Sequence, residues 1–269
     1  MSASSSPMVV KIGGSTLGAA DTSLQDLVTL QRQGRMPVVV HGGGPAISQW
    51  MQRQGLMPRF VRGLRVTDAP SLDIVVAVLA GLINKQLVAK ITALGGRAVG
   101  ISGADGAILQ ARPANPELGL VGEVFEVNPE PILVLVRAGY IPIVAPVGIH
   151  LPEGSQDECT LLNINGDTAA GHLAWALNAE KLIFLTDVEG VLDSSKRLIS
   201  RLTTREARGL ISSGAADGGM IPKLEACVQA LERVPVARIV DGRSPQALLH
   251  AINGHGSGTW LTRLVQEKV

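Results

Sequence analysis

The chain has 269 residues, 46% hydrophobic and 17% charged, which gives one large or two modest domains with real cores and excludes a disordered chain. Only 3% of residues are aromatic and 31 are glycine, so the core must be built from Val, Leu, Ile and Ala around buried strands and tight turns. Formal net charge is +1 with no long basic run, which argues against a nucleic-acid partner, since such binding needs a concentrated Lys/Arg face.

The opening segment through Pro7 has neither a basic n-region nor an apolar h-region, so it is not read as a signal peptide. A strand at 9–12 carries Lys11 and ends in Gly13-Gly14-Ser15, before a helix near 21–33. The strand at 37–40 runs into His41-Gly-Gly-Gly44-Pro45, which opens a helix near 45–55. The turn Gly63-Leu-Arg65-Val-Thr67-Asp68 leads to a helix near 71–94. Its apolar run at 74–83 is shorter than the roughly 20 residues needed to span a bilayer. A helix apolar on most of its circumference must be covered, either within the monomer or partly by a second subunit.

A strand at 98–101, a helix near 129–138 and a strand at 141–144 follow, then a helix near 167–178 and a strand at 182–185. Helices near 204–213 and 219–233, a strand at 237–240 and a helix near 245–252 complete the order. Strand and helix alternating this often predict an α/β fold, a mostly parallel sheet with helices on both faces and ligands at the strands' carboxyl ends. Residues 106–127 and 148–163 break the rhythm and suit β-hairpins rising from one edge of the sheet as a substrate lid. The chain divides near residue 178 without a flexible linker, giving lobes 1–178 and 179–269 that share one sheet. Cys159 and Cys227 lack framework or metal-site spacing and are read as reduced, partly buried thiols of a cytoplasmic protein.

Two glycine turns at the mouths of the first two strands leave main-chain N–H groups open to phosphate oxygens. Neither a Walker A loop nor a dinucleotide fingerprint is present. Lys11 is either an edge lysine with its ammonium in water or a site lysine, and its place at the strand mouth favours the site. Lys223, after Gly218-Gly-Met-Ile-Pro222, would alone be a solvated helix charge; beside Lys11 it becomes a second candidate. Asp167 in Asn163-Ile-Asn165-Gly-Asp167 either caps a helix or joins a polar cluster at the sheet's mouth. Arg65 pairs either with a substrate carboxylate or with Asp68 or Asp73. The loop from Thr186 to Asp193 is either a clasp for adenine and ribose or an ordinary βα loop. His41 and His250 are read as structural, near a strand end and on a helix surface.

In order along nearly the whole chain, Lys11-Ile-Gly-Gly, His41-Gly-Gly-Gly-Pro, Gly63-Leu-Arg-Val-Thr, Asn163-Ile-Asn-Gly-Asp, Thr186-Asp-Val-Glu-Gly-Val and Gly219-Met-Ile-Pro-Lys resemble the amino-acid kinase family. The resemblance implies a three-layer αβα sandwich with substrate in the N-terminal lobe and ATP in the C-terminal lobe. It implies that Lys11 and Lys223 flank the transferring phosphoryl group, held by Asp167. Gly43, Gly44, Arg65 and Asn163 would take the substrate, with Arg65 and Asn163 on its α-carboxylate. Gly13, Gly14, Asp187, Val188, Glu189, Gly190, Val191, Leu192 and Asp217 would bind ATP. The N–H groups of Gly14 and Gly44 would meet the γ-phosphate, and Mg2+ would be held mainly by the nucleotide phosphates.

The Gly63-Leu-Arg-Val-Thr block points to N-acetyl-L-glutamate as acceptor. The same resemblance leaves a kinase of carrier-protein-bound aminoadipate or glutamate, and a non-catalytic amino-acid or nucleotide sensor, as alternatives. Arginine-inhibited members carry an extra N-terminal helix joining dimers into hexamers, and a glutamate where this chain has His250. Comparison with them implies a homodimer insensitive to arginine.

Overall fold

Along the chain the elements are β1 (Met8–Ile12), α1 (Ser23–Arg32), β2 (Pro37–His41), α2 (Gly44–Arg53), β3 (Phe60–Val61), β4 (Leu64–Arg65) and α3 (Ala69–Val76). A π-helical segment (Ala77–Ile83) joins α3 to α4 (Asn84–Ala93), followed by β5 (Ala98–Ser102), β6 (Leu109–Pro113), β7 (Gly122–Val127), α5 (Glu130–Arg137) and β8 (Ile141–Ala145). Next come β9 (Val147–His150), β10 (Thr160–Asn163), α6 (Gly166–Ala176), β11 (Leu182–Thr186) and β12 (Arg201–Thr203). The chain continues through α7 (Thr204–Ser212), α8 (Met220–Ala230), β13 (Val236–Asp241), α9 (Ala247–Ile252) and β14 (Thr259–Thr262). This computed structural model describes residues 6–14, 22–152 and 159–263. The first five residues of the opening segment, Ser15, the start of the helix expected at 21–33, and the middle of the stretch expected as a hairpin at 148–163 lie outside the described residues.

Eight strands form the central sheet in the order β12-β14-β13-β11-β1-β2-β8-β5. Pairing is parallel throughout except between β13 and β14. Because β1 pairs with β11, the two expected lobes share one sheet. Side chains alternate across it, as strand geometry requires. Met8, Val10 and Ile12 join a core with α1, α2, α3, α4 and α9, while Val9 joins the opposite core with α5, α6 and α8. The result is the expected three-layer arrangement. Lys11 falls, by the same alternation, on the α6 and α8 side.

The expected hairpins form as β6–β7 and β9–β10, and join as a separate sheet in the order β10-β9-β6-β7. A shorter hairpin, β3–β4, was not expected and carries Arg65 to the mouth of the site. Its turn residues Arg62 and Gly63 both have positive φ, 48° and 79°.

From Ala69 to Ala93 the helix is continuous over 25 residues and, by length and composition, apolar enough to cross a membrane. The helix expected near 71–94 thus forms; its apolar character extends beyond the run at 74–83, which alone is too short to span a bilayer. One side of it, including Val75, Val78, Leu79, Leu87 and Ile91, packs into the sheet's core. At the end of the π segment Asn84 turns into the sheet, donating to the carbonyls of Ile143 (2.8 Å) and Ile101 (3.2 Å). Cys227 is buried as a free thiol, but Cys159 is exposed, contrary to the expectation that both are partly covered.

Candidate active site

The helix α6 starts with Asn165 as its cap: the side-chain oxygen accepts from the N–H groups of Asp167 (2.9 Å) and Thr168 (3.1 Å). The cap is therefore Asn165, and Asp167 is left free for other partners. Its carboxylate lies between two ammonium groups, with Lys11 Nζ 2.7 Å from Oδ1 and Lys223 Nζ 2.9 Å from Oδ2. Among the described residues Oδ1 takes no well-directed hydrogen bond, so Lys11 is its partner by charge. Lys223 also donates to the Gly219 carbonyl at 3.2 Å, which folds its side chain back towards the start of α8.

Burial alone would push the Asp167 carboxyl up, but the nearby charges of Lys11 and Lys223 outweigh it and hold it below the ordinary carboxylate range. The carboxylate stays ionised, and both lysines are oriented by one anion. Close packing of α6 on α8 makes this possible. A Cβ on Gly171 would lie 2.9 Å from Cα, Cβ and O of Ala226, so the two helices meet there almost backbone to backbone.

Two cavities flank this cluster. One, of about 180 Å³, is lined by Lys11, Gly42, Gly43, Gly44, Arg65, Asn163 and Asp167, with apolar walls from Ile47, Phe60, Leu79 and Val121. The other, of about 390 Å³, is lined by Asp187, Val188, Gly190, Val191, Leu192, Asp217 and Lys223, with Leu210 and Met220 among its apolar walls. Lys11 and Asp167 face the first cavity and Lys223 faces the second. All residues of the first wall precede residue 178, and all those of the second follow it.

Arg65 is buried and pairs with neither Asp68 nor Asp73. It donates to Ser48 Oγ (2.8 Å), the Gly44 carbonyl (3.0 Å) and Met51 Sδ (3.2 Å), and stacks on Phe60 with its guanidinium carbon 4.7 Å from the ring centre. Burial lowers its pKa from the usual arginine value. Asp68 instead caps α3 through the Ser71 N–H. A cation held at a cavity wall by neutral groups suits an incoming anion. Asn163 Nδ2 donates to Thr67 Oγ1 at 3.0 Å, which fixes the amide at the same wall.

The glycine turns pack on each other: a Cβ on Gly14 would lie 3.1 Å from the Gly43 nitrogen and 3.4 Å from Pro45. A Cβ on Gly43 would meet the terminal methyls of Leu79 and Ile83 of the π segment at 2.6 Å, so a side chain at 43 would force those two side chains to shift. The Gly13 N–H is already donated to the Leu185 carbonyl at 3.0 Å, which takes it out of reach of a phosphate. Glu189 is exposed and is not part of the larger cavity's wall, unlike the rest of the stretch from Asp187 to Leu192.

His41 is fully buried at the end of β2. Burial pushes its imidazole down to about 4; the hydrogen bond to the Gly42 carbonyl opposes this, and Lys11 and Lys85 add to it. The ring is therefore neutral at pH 7. Since a carbonyl only accepts, Nδ1 carries the proton and donates to Gly42 O (3.0 Å), while Nε2 accepts from Asn84 Nδ2 (3.3 Å). The neutral ring fixes the second glycine turn, the structural role expected for it. His250 is exposed on α9, also as expected.

Sequence reading missed Phe60, Leu79 and Val121. Leu79 is placed by the π segment, which leaves no compositional signal, and Phe60 lies on a hairpin two residues wide.

Residues 6–241 match the model of the amino acid kinase family. Acetylglutamate kinase of Dehalococcoides mccartyi is 43% identical over 255 residues, spanning 95% of this chain and 94% of the relative. Acetylglutamate kinase of Acaryochloris marina is 47% identical over 266 residues, spanning 95% and 91% respectively. The solved structure of N-acetylglutamate synthase from Neisseria gonorrhoeae, complexed with coenzyme A and N-acetyl-glutamate, superposes with a TM-score of 0.81 at 25% identity, over 97% of this chain and 60% of that one. With the family model matching residues 6–241 and relatives 43% and 47% identical over nearly their whole length, the chain belongs to the amino acid kinase family.

Proposed function

We propose that the protein transfers the γ-phosphoryl group of ATP to the side-chain carboxylate of N-acetyl-L-glutamate, forming N-acetyl-L-glutamyl 5-phosphate for arginine biosynthesis. The observation that carries this reading is the Lys11–Asp167–Lys223 cluster standing between two cavities. The smaller cavity, with Arg65 and Asn163, takes the acceptor's α-carboxylate; the larger one takes the nucleotide. The N-terminal lobe, 1–178, thus serves the acceptor and the C-terminal lobe, 179–269, serves ATP.

The acceptor carboxylate is ionised at neutral pH, so it needs no general base. One of its oxygens attacks the γ-phosphorus as the bond to the ADP oxygen breaks, in line. The obstacle is repulsion between an anion and a polyphosphate, so catalysis rests on positioning and charge stabilisation. Lys11 approaches the transferring group from the acceptor side and Lys223 from the nucleotide side. The N–H groups of Gly14 and Gly44, the latter at the start of α2, add donors for the γ-phosphate.

Among the described residues no three His, Cys, Asp or Glu side chains cluster as a metal cage. The carboxylates of Asp187 and Asp217 at the nucleotide cavity suit a Mg2+ ion carried on the phosphates. When bound, that ion neutralises phosphate charge.

We also read the protein as a cytoplasmic homodimer. The outer side of the helix Ala69–Ala93 supports the dimer, because Val76, Ala77, Ala80, Gly81 and Leu82 leave it small and apolar between Asp73 and Lys85. Light scattering at working concentration tests it, and a monomer mass would contradict it. The function is tested by ADP release dependent on free N-acetyl-L-glutamate. Turnover confined to carrier-linked aminoadipate or glutamate would reassign the acceptor, and binding without turnover would make the protein a sensor.

A further inference from the structure

Thr259 opens β14 and is fully buried, outside the walls of both cavities. Its hydroxyl accepts a hydrogen bond from the Val191 N–H at 2.8 Å and donates one to the Ile199 carbonyl at 2.7 Å. Val191 lines the larger cavity. The Ile199 N–H returns to the Val191 carbonyl at 2.8 Å, and Leu192 bridges Leu198, so this hydroxyl sits at the neck of the loop that follows β11. Gly190, beside it, has φ 151°, and a Cβ there would meet Thr259 Oγ1 at 2.6 Å. The loop is pressed directly onto the threonine.

Thr259 is itself held from behind. Gly258, at φ 127°, passes so close to β13 that a Cβ would lie 2.6 Å from the Ile239 carbonyl. The buried Arg238 guanidinium donates to the carbonyls of Ala251 (2.7 Å) and His255 (3.0 Å) and stacks 3.9 Å from the centre of the Trp260 ring. This cation meets the C-terminal end of α9, where carbonyls are left unpaired. Arg238 therefore fixes the segment that delivers Thr259.

We propose that Thr259 is a positioning residue for the nucleotide, its hydroxyl setting the height of the Gly190-Val191 wall against the bound base and ribose. The inference rests on the reading of the larger cavity as the ATP site. Valine is nearly isosteric with threonine but offers the Val191 N–H no acceptor, so the wall is freed without opening a void. Serine keeps both hydrogen bonds.

The test is steady-state kinetics and hydrogen–deuterium exchange on full-length Thr259→Val, Thr259→Ser and the parent protein, each checked for folding by thermal denaturation. Thr259→Val is expected to raise the KM for ATP about fivefold to tenfold, with the KM for the acceptor within twofold, and Thr259→Ser to restore it. A folded Thr259→Val protein with an unchanged KM for ATP, or one in which both KM values rise together, overturns the inference. In the parent protein ATP is expected to slow exchange of amides in 187–193. If ATP binds yet leaves those amides unchanged, the ATP-site reading falls, and this inference with it.

Discussion

Lys11 and Lys223 bind opposite oxygens of one carboxylate, at 2.7 and 2.9 Å, although one belongs to the first strand and the other to the eighth helix. Two cations brought this close repel each other, and the aspartate between them removes that repulsion. It also orients them towards different cavities. Preorganisation of this kind places positive charge where phosphoryl transfer develops negative charge, with no rearrangement needed during the reaction.

Asp167→Asn leaves two ammonium groups in a largely buried space without their shared anion. Breaking a buried ion pair on one side typically costs about 3–5 kcal/mol. A fall of that order in the free energy of chemical denaturation, together with a large loss of kcat, is the expected outcome. A variant as stable as the parent would show that the carboxylate does not balance the lysines.

Arg65→Ala should raise the KM for the acceptor and leave that for ATP nearly unchanged, since Arg65 lines only the smaller of the two cavities described. Arg65→Lys should not restore binding, because an ammonium cannot keep contact with Ser48 and Gly44 while presenting a fork to a carboxylate. Steady-state kinetics varying each substrate in turn decides it. An increase in the ATP term alone would reverse the assigned roles.

The strands and the motifs at their ends were legible because glycine, proline and β-branched runs mark strand mouths by local chemistry. Lys11 stood out as a charge in an apolar strand, and its side of the sheet follows from alternation alone. What joins Asp167 to Lys223 was not legible, since the contact of Gly171 with Ala226 depends on helices distant in sequence. The π segment was hidden because no proline or other local residue signal marks its change of hydrogen-bond pattern within an apolar helix. The edge strand β12 and its neighbour β14 are short and polar in part, and Thr259 is indistinguishable in sequence from a surface threonine.

Gly171→Ala sets two effects against each other. Helix propensity favours alanine by about 1 kcal/mol, whereas overpacking typically costs about 1–3 kcal/mol. Here the new methyl meets backbone at 2.9 Å, which cannot rotate away. Net destabilisation and a reduced kcat are expected, the latter because α8 carries Lys223. Thermal denaturation showing a more stable variant would mean that the helix contact is looser than the structure indicates.

Acid should weaken the fold through His41. Its folded pKa, about 4, lies below the ordinary 6.5, so the unfolded chain takes up the proton first. The stability it contributes is present above about pH 6.5 and is lost as pH falls towards about 4. Between pH 7 and 5 the loss is about 2 kcal/mol from the two pKa values. Denaturation of the parent and His41→Gln proteins at both pH values should show a smaller pH dependence in the variant by about that amount. Equal dependence in both would remove His41 as the cause.

The account turns on whether the two lysines act on one phosphoryl group. The measurement that bears on this most directly is the rate of acyl phosphate formation from ATP and N-acetyl-L-glutamate, trapped with hydroxylamine, in folded Lys11→Ala and Lys223→Ala proteins. Each substitution is expected to lower kcat by about 10²–10³, the usual effect of removing one transition-state charge stabiliser. Near-parental turnover in either protein would contradict the account.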